Sequence, residues 1–564
     1  MNRRYHLQHA LVSNQHALAL VGAQARVEFL CLPGFDGPSV FAALLDQDRG
    51  GVLDLVTNGP SESAYIEDTN ALRTVFSTNG SITLSVTDFC PVGAPAFARW
   101  VQPSGCIQAQ FTLDPRLDFG RSAARPERVS ATVARIEDIW FTAPAEIIDV
   151  LMTSSPTSTS IKFERPFVLV ISHGKPLELA DPAAALQRAV DADRQAVATI
   201  PAPLRRCVLC IRGQTYAPTG AIIAAATTSV PEAIGEPRNW DYRYAWIRDG
   251  SFAAEALIRL GDTTTAHALL DFFQGAIGDN IPQPLYGIDG RKRLPEVTVP
   301  ELSGFERTPP VRLGNAAATQ TQHDTWGQLV WLAARLHENG VDQQHRYPWI
   351  ASMVEGARQA SSTTDAGIWE FRGRLAYFTF SQVWCWVALD RGASIAQALG
   401  HPRQATRWRT EAEQLSAAIN AAADRVGFFA QTLNCDTVDA SSLMLPSLGF
   451  VSATDPRFLE TVSRCENQLR EPGADDLLKR YVATDDFGDT TSSFSLCTLW
   501  WIEALAQSGQ RQRAEALFEQ FGHRANTHGL YSEDIDPSSR RMLGNFPQVY
   551  SHTGFINAWL AITS

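Results

Sequence analysis

The chain has 564 residues, too many for one ordinary core, so two or three domains are expected. Hydrophobic residues make up 45% and charged residues 19%, a globular composition, and a formal charge of −12 argues against a nucleic-acid partner. No apolar run reaches the roughly 18 residues of a membrane helix, and polar residues break the N-terminal stretch MNRRYHLQHALVSNQHALAL, so neither a membrane partner nor a secretory signal is expected.

Up to about residue 180 the chain reads as strands. HALALV, RVEFLC, SITLSVTDF, CIQAQFTL and PFVLVIS are short, β-branched or alternating, and separated by Gly, Pro, Asn and Asp. Many short strands with no helical period between them predict an antiparallel β-sandwich over residues 1–180. Residues 181–199 change texture, with Asp181 as N-cap and Pro182 at the first helical position, and predict a linker helix. Nine scattered cysteines lack framework spacing, which predicts reduced thiols and a cytoplasmic location. Cys207 and Cys210 form a lone C-x-x-C in a helical stretch, with no second pair to complete a zinc site.

Residues 200–564 read as helices with long connections. SFAAEALIRLG, HDTWGQLVWLAARLHENG, FSQVWCWVALDRGASIAQALG, RQATRWRTEAEQLSAAINAAA and SSFSLCTLWWIEALAQSG carry apolar residues at 3–4 spacing. Periodicity leaves a closed double-layered α-barrel and an open solenoid both available. The loops between them are rich in Trp, Tyr, Arg, Asp and Gly, and long loops in compact domains carry function.

Four loop segments could carry chemistry. Asn239–Gly250, NWDYRYAWIRDG, sets stacking rings beside Arg–Asp pairs at a helix entrance. Flat rings with bidentate polar groups suit a sugar, and a capping and salt-bridge network explains the same letters. In TQHDTWG, His323 beside Asp324 is a dyad only if geometry joins them. GIWEFRG places Glu370 between Trp369 and Phe371 and beside Arg372. An aromatic wall raises a carboxyl pKa and a guanidinium lowers it, so a general acid and a buried ion pair are both compatible. Near the end, YSEDIDP sets Glu533 among acids, and glycoside hydrolysis needs two carboxyl groups.

Together these segments resemble glycoside hydrolase family 15, the glucoamylase, glucodextranase and bacterial trehalase group. The blocks that carry the likeness are FLCLPGFDGPSVFAALL, RNWDYRYAWIRDGSF, PVRLGNAAATQTQHDTWG, GIWEFRG, SQVWCWVALDRG and LGNFPQVYSHTGFINAW. The resemblance implies an N-terminal antiparallel β-sandwich followed by an (α/α)6 barrel, with the site in the funnel of barrel loops. It implies Glu370 as general acid and Glu533 as general base. Arg248 and Asp249 would hold hydroxyls of the first glucose, and Trp240, Asp241, Trp369 and Arg372 would line the nearest subsites. Phe35 and Asp36 would reach the funnel or the domain interface. The implied partner is an α-linked gluco-oligosaccharide cut from its non-reducing end with inversion, trehalose being the alternative substrate and phosphorolysis or sugar binding alone remoter ones. No metal or organic cofactor is required, and a homo-oligomer is compatible with the sequence. Two departures stand out: Thr491-Ser492 where relatives carry an acidic residue, and Gly34 where a basic one is expected.

Overall fold

The computed structural model describes residues 7–77, 82–153, 158–471, 473–482 and 484–564. The first six residues of the N-terminal stretch and the first residue of SITLSVTDF lie outside them.

The first two hundred residues build two antiparallel sheets. One runs Ala10–Ser13, Leu18–Gly22, Arg26–Cys31, Val52–Val56, Ile107–Asp114 and Thr159–Phe163 in spatial order, with Ser39–Phe41 paired to Arg26–Cys31. The other runs Glu127–Arg128, Val133–Ile136, Ile139–Thr142, Phe167–His173, Ala96–Pro103, Thr83–Phe89, Leu72–Ser77 and Ser61–Tyr65. Alternation sorts their side chains. Val12, Ala19, Val21, Val27 and Leu30 face the second sheet, meeting Phe97 and Phe141 in a common core. Their neighbours Leu11, Leu18, Leu20, Phe29 and Cys31 face the other way and join the core of the helical domain. These strands are therefore buried on both faces, so the domains share one continuous apolar interior.

Helix Pro182–Ala196 starts where Asp181 accepts the Ala184 N–H at 2.9 Å. It packs Ala185, Leu186 and Val190 onto Phe89, Ala96, Ala98 and Val170, covering the outer face of the second sheet. The segment predicted as a linker is thus also a lid on the sandwich.

The helical half closes into a ring. Its inner layer is Ile247–Arg259, Asp324–Glu338, Thr379–Ala398, the short 3₁₀ turn Ala440–Met444, Ser495–Gln507 and Val549–Thr563, each touching the next and the last touching the first. The outer layer is Thr263–Ile277, Tyr347–Ala360, Pro402–Val426, Pro456–Leu469, Arg511–Gly522 and Arg205–Gly213, most of them packed across two neighbouring inner elements. Closure excludes the solenoid. The inner helices are apolar nearly all round, as burial on every side demands. Their closeness needs small residues: a Cβ on Gly327 would lie 2.1 Å from the Trp384 carbonyl oxygen. Cys207 and Cys210 sit buried where Arg205–Gly213 meets the sandwich, and burial pushes the Cys210 thiol up to about 12. All nine cysteines are free.

Candidate active site

The inner helices begin at one end of the barrel, and the loops feeding those N-termini surround a cleft of about 870 Å3 counted out to solvent. Glu370, Glu533, Arg248, Asp249, Trp240, Trp369 and Arg372 all line it. Residues separated by almost three hundred positions in the chain therefore meet in one space.

Glu370 is delivered by a turn. Gly367 has φ +69°, its neighbour Glu370 has φ +60°, and the Glu370 N–H closes onto the Gly367 carbonyl at 3.2 Å. A left-handed non-glycine residue is a local cost that folds retain mainly at working sites. The turn points the Glu370 carboxyl into the cleft, where Trp246 Nε1–H donates to it at 2.9 Å and Arg248 Nη1 stands 3.6 Å away. Its two aromatic neighbours do not enclose it. Phe371 stacks on Phe378, and Trp369 packs against Phe494 while its Nε1–H donates to Asp439 at 2.8 Å. The polar Trp246 N–H, brought from another loop, holds the position expected of those walls.

Arg248 and Asp249 occupy the first turn of helix Ile247–Arg259, where the helix N-terminus favours an acidic group. Arg248 donates to the Ile368 carbonyl at 3.1 Å and lies 3.2 Å from Asp249 Oδ2. Burial first, then the negative charge of Glu370, raises Asp249 to about 6 against the opposing pull of Arg248. Asp249 Oδ2 makes no hydrogen bond among the described residues, its 3.2 Å contact being the ion pair with Arg248 Nε.

Glu533 is 1% exposed and precedes the short strand Asp534–Ile535. Asn545 N–H donates to its Oε2 at 3.2 Å, and the Tyr242 hydroxyl also bonds it. The GNFPQ block explains itself here. Gly544 has φ +69°, and a Cβ there would fall 2.7 Å from both Cβ and Oε2 of Glu533. Burial, then repulsion from Asp534 and Glu232, holds Glu533 well above the usual carboxylate range. Glu232 is paired with Arg480, so a guanidinium already supplies positive charge beside these carboxylates.

Two predicted subsite residues need correction. Asp241 is fully buried and does not line the cleft: Arg243 grips it at 2.9 and 2.7 Å, and Gly314 N–H donates to it at 3.2 Å. Arg243 in turn donates to the Gly37 carbonyl at 2.8 Å, so the pair ties barrel to sandwich. Arg372 does line the cleft but has a lasting partner, meeting both oxygens of Glu296 at 2.9 and 3.3 Å. Its guanidinium covers Trp240 at 4.6 Å, and Arg312 covers the same ring at 4.4 Å. Trp240 is fixed further by donating to Glu232 at 3.2 Å.

The other candidates fall outside the cleft. His323 contacts Thr363 at 3.4 Å and Asp324 accepts from Gln328 at 2.8 Å, so they form no dyad. Asp36 accepts from Ile288 N–H at 3.0 Å and pairs with Arg291 at 2.8 Å, while Phe35 packs on Tyr216, which makes the FD block an interface. A Cβ on Gly34 would sit 2.8 Å from Ile288 in that same interface. Thr491 donates to Glu236 at 3.1 Å, and Ser492 to Asp534 at 2.8 Å. Sequence reasoning missed Trp246, Tyr242, Glu232 and Arg480. The first two stand inside a motif already singled out, whereas nothing local marks the last two.

Residues 205–560 match the profile of glycosyl hydrolases family 15, and residues 6–137 match that of the trehalase-like N-terminal domain. The chain is 32% identical to a trehalase of Mycobacterium tuberculosis over 98% of its own length and 88% of that protein's. It is 30% identical to a trehalase of Thermoplasma acidophilum, over 95% and 97% respectively. Among solved structures, a bacterial glucoamylase complexed with acarbose superposes with a TM-score of 0.71 at 14% identity, covering 99% of this chain and 94% of that one. That likeness extends to the fold, sandwich and barrel together.

Proposed function

Since the chain belongs to glycosyl hydrolase family 15 and is a glycoside hydrolase, we propose that it cleaves trehalose with inversion, using Glu370 as general acid and Glu533 as general base. The observation that carries this reading is one cleft holding Glu370, bonded by Trp246 and flanked by Arg248–Asp249, together with the sunken Glu533. Trehalose is favoured over the longer α-glucans because relatives spanning nearly the whole chain are trehalases.

The chemistry follows from the two surroundings. Glu370 gives its proton to the bridging oxygen as the bond to the anomeric carbon breaks. Glu533 takes a proton from the water that attacks the opposite face, and a base lifted by burial pulls harder on it. Asp249 and Arg248 grip hydroxyls of the ring being cleaved, fixing it for in-line attack. Turnover ends with Glu370 ionised and Glu533 protonated, and proton exchange with solvent restores both. Each trehalose then releases one α-glucose, the leaving group, and one β-glucose, the inverted product.

Separate incubations with trehalose, maltose and isomaltose test the substrate. Trehalose is expected to turn over fastest, with equal α- and β-glucose in the first NMR spectra. Faster release of glucose from maltose or isomaltose overturns the trehalose reading, and α-glucose alone overturns inversion.

A further inference from the structure

The general base assigned above has company that the reaction scheme does not use. Carboxylate oxygens of Glu232, Glu533 and Asp534 lie within 4.8 Å of one another, and all three residues are buried. Few compensating groups face them. Arg480 is paired to Glu232. Arg238, whose field reaches Asp534, is held by both oxygens of Asp485 at 2.8 Å. Three ionised carboxylates against one adjacent guanidinium would leave about two unbalanced charges out of water, which costs more than protonating one of them. Closely paired carboxyl groups resolve that conflict by sharing a proton.

Hydrogen-bond donors decide where the proton rests. Glu533 accepts the Asn545 N–H and the Tyr242 hydroxyl, and such donors favour its ionised form. The Asp534 side chain accepts the Ser492 hydroxyl at 2.8 Å, and its Oδ2 has no partner among the described residues. Glu533 lines the cleft and can turn its open oxygen to a water there, whereas Asp534 does not line it.

We propose that Asp534 is the proton holder of the general base: it shares one proton with Glu533, keeps that proton in the working enzyme, and is held in this state by the charge of Glu232. The proposal rests on Glu533 being the base. Asp534 and Glu232 are positioning residues, acting through Glu533 without touching the sugar. Burial, then repulsion from Glu232, carries Asp534 up to about 8, and Glu533 is raised as well, as one proton shared between the two requires; the donors on Glu533 place it on Asp534. A second proton on the pair silences Glu533, so the acidic limb of kcat/KM reports the pair.

The test is the pH profile of trehalose hydrolysis. Asp534→Asn replaces a carboxyl that is already neutral in the working enzyme, so the acidic limb should stay where it is, whereas an ionised Asp534 would let it fall by about one pH unit or more. Glu232→Gln removes an ionised neighbour and should move the limb down by about one pH unit or more. Ser492→Ala removes the donor that favours ionised Asp534, so a carboxyl that already holds its proton leaves the limb in place, whereas an ionised one would be tipped toward its neutral form and the limb would fall. If Asp534→Asn does not fold, the other two variants carry the test. An acidic limb that falls in Asp534→Asn as far as in Glu232→Gln, or that stays put in Glu232→Gln, overturns the proposal. Glu533→Gln separates the two levels: hydrolysis surviving there removes the base itself, whereas its loss together with a fallen limb in Asp534→Asn removes the proton holder alone.

Discussion

The two carboxyl groups of the cleft are set in opposite ways. Glu370 stands on a strained turn with its side chain 23% exposed, held by one neutral N–H and faced by one guanidinium. Glu533 is sunk among two other carboxyl groups, with a backbone N–H and a phenol as its donors. A proton donor must be reloaded from solvent after each cycle, which suits an outward position. A base that draws a proton from water gains strength from a dry, negatively charged setting. One fold thus separates the roles by depth and company, since both groups are glutamates.

The sharpest way to break that contrast is to neutralise each group in turn. Glu370→Gln and Glu533→Gln should each lower kcat for trehalose by about 10²–10⁴-fold, the usual contribution of one acid or base. A substrate whose leaving group needs no proton tells the two apart. With α-glucosyl fluoride, Glu370→Gln should recover most of its rate while Glu533→Gln stays slow. Equal recovery in both variants would erase the division of roles. Next in size comes Gly544→Ala. A methyl group 2.7 Å from Glu533 Oε2, on a backbone at φ +69°, must push the base aside. Initial rates should fall roughly a hundredfold with a stability cost of about 1–3 kcal/mol. Full activity would show that the position of Glu533 is not held from that side.

Much of this architecture was legible in the pattern of residues, and the failures have physical causes. Alternation was enough for the sandwich, because every strand of the first sheet turns one set of alternate residues to the sandwich core, and Ala10–Ser13, Leu18–Gly22 and Arg26–Cys31 turn the other set to the barrel core. Ring closure was not, because a helix buried on every side looks alike in a barrel and a solenoid. Trp240 and Asp241 read as one sugar-binding pair, but Asp241 bridges Thr228 in extended backbone, so successive side chains point to opposite sides. Trp240 goes to the cleft and Asp241 to Arg243. In GIWEFRG the turn does the same to Glu370 and its aromatic neighbours. The company of Glu533 was hidden for another reason. Glu232 lies about three hundred positions before Glu533 and Arg480 about fifty, on separate loops, and only the closed barrel puts them together.

The mildest prediction probes the outer half of the comparison. Trp246 Nε1–H is the one side-chain hydrogen-bond donor at 2.9 Å on Glu370 among the described residues, and its ring sits edge-on to Tyr242, which in turn bonds Glu533. Trp246→Phe keeps an aromatic ring in the site but deletes the donor. A hydrogen bond of this kind is worth about 1–1.5 kcal/mol, so kcat should fall roughly tenfold. KM should change little, because Trp246 aims the acid while Arg248 and Asp249 carry the grip on the sugar. A raised KM at constant kcat would move Trp246 from aiming the acid to holding the substrate. The depth contrast would then rest on burial alone, because among the described residues nothing else on that side fixes the direction of the Glu370 carboxyl except Arg248 at 3.6 Å.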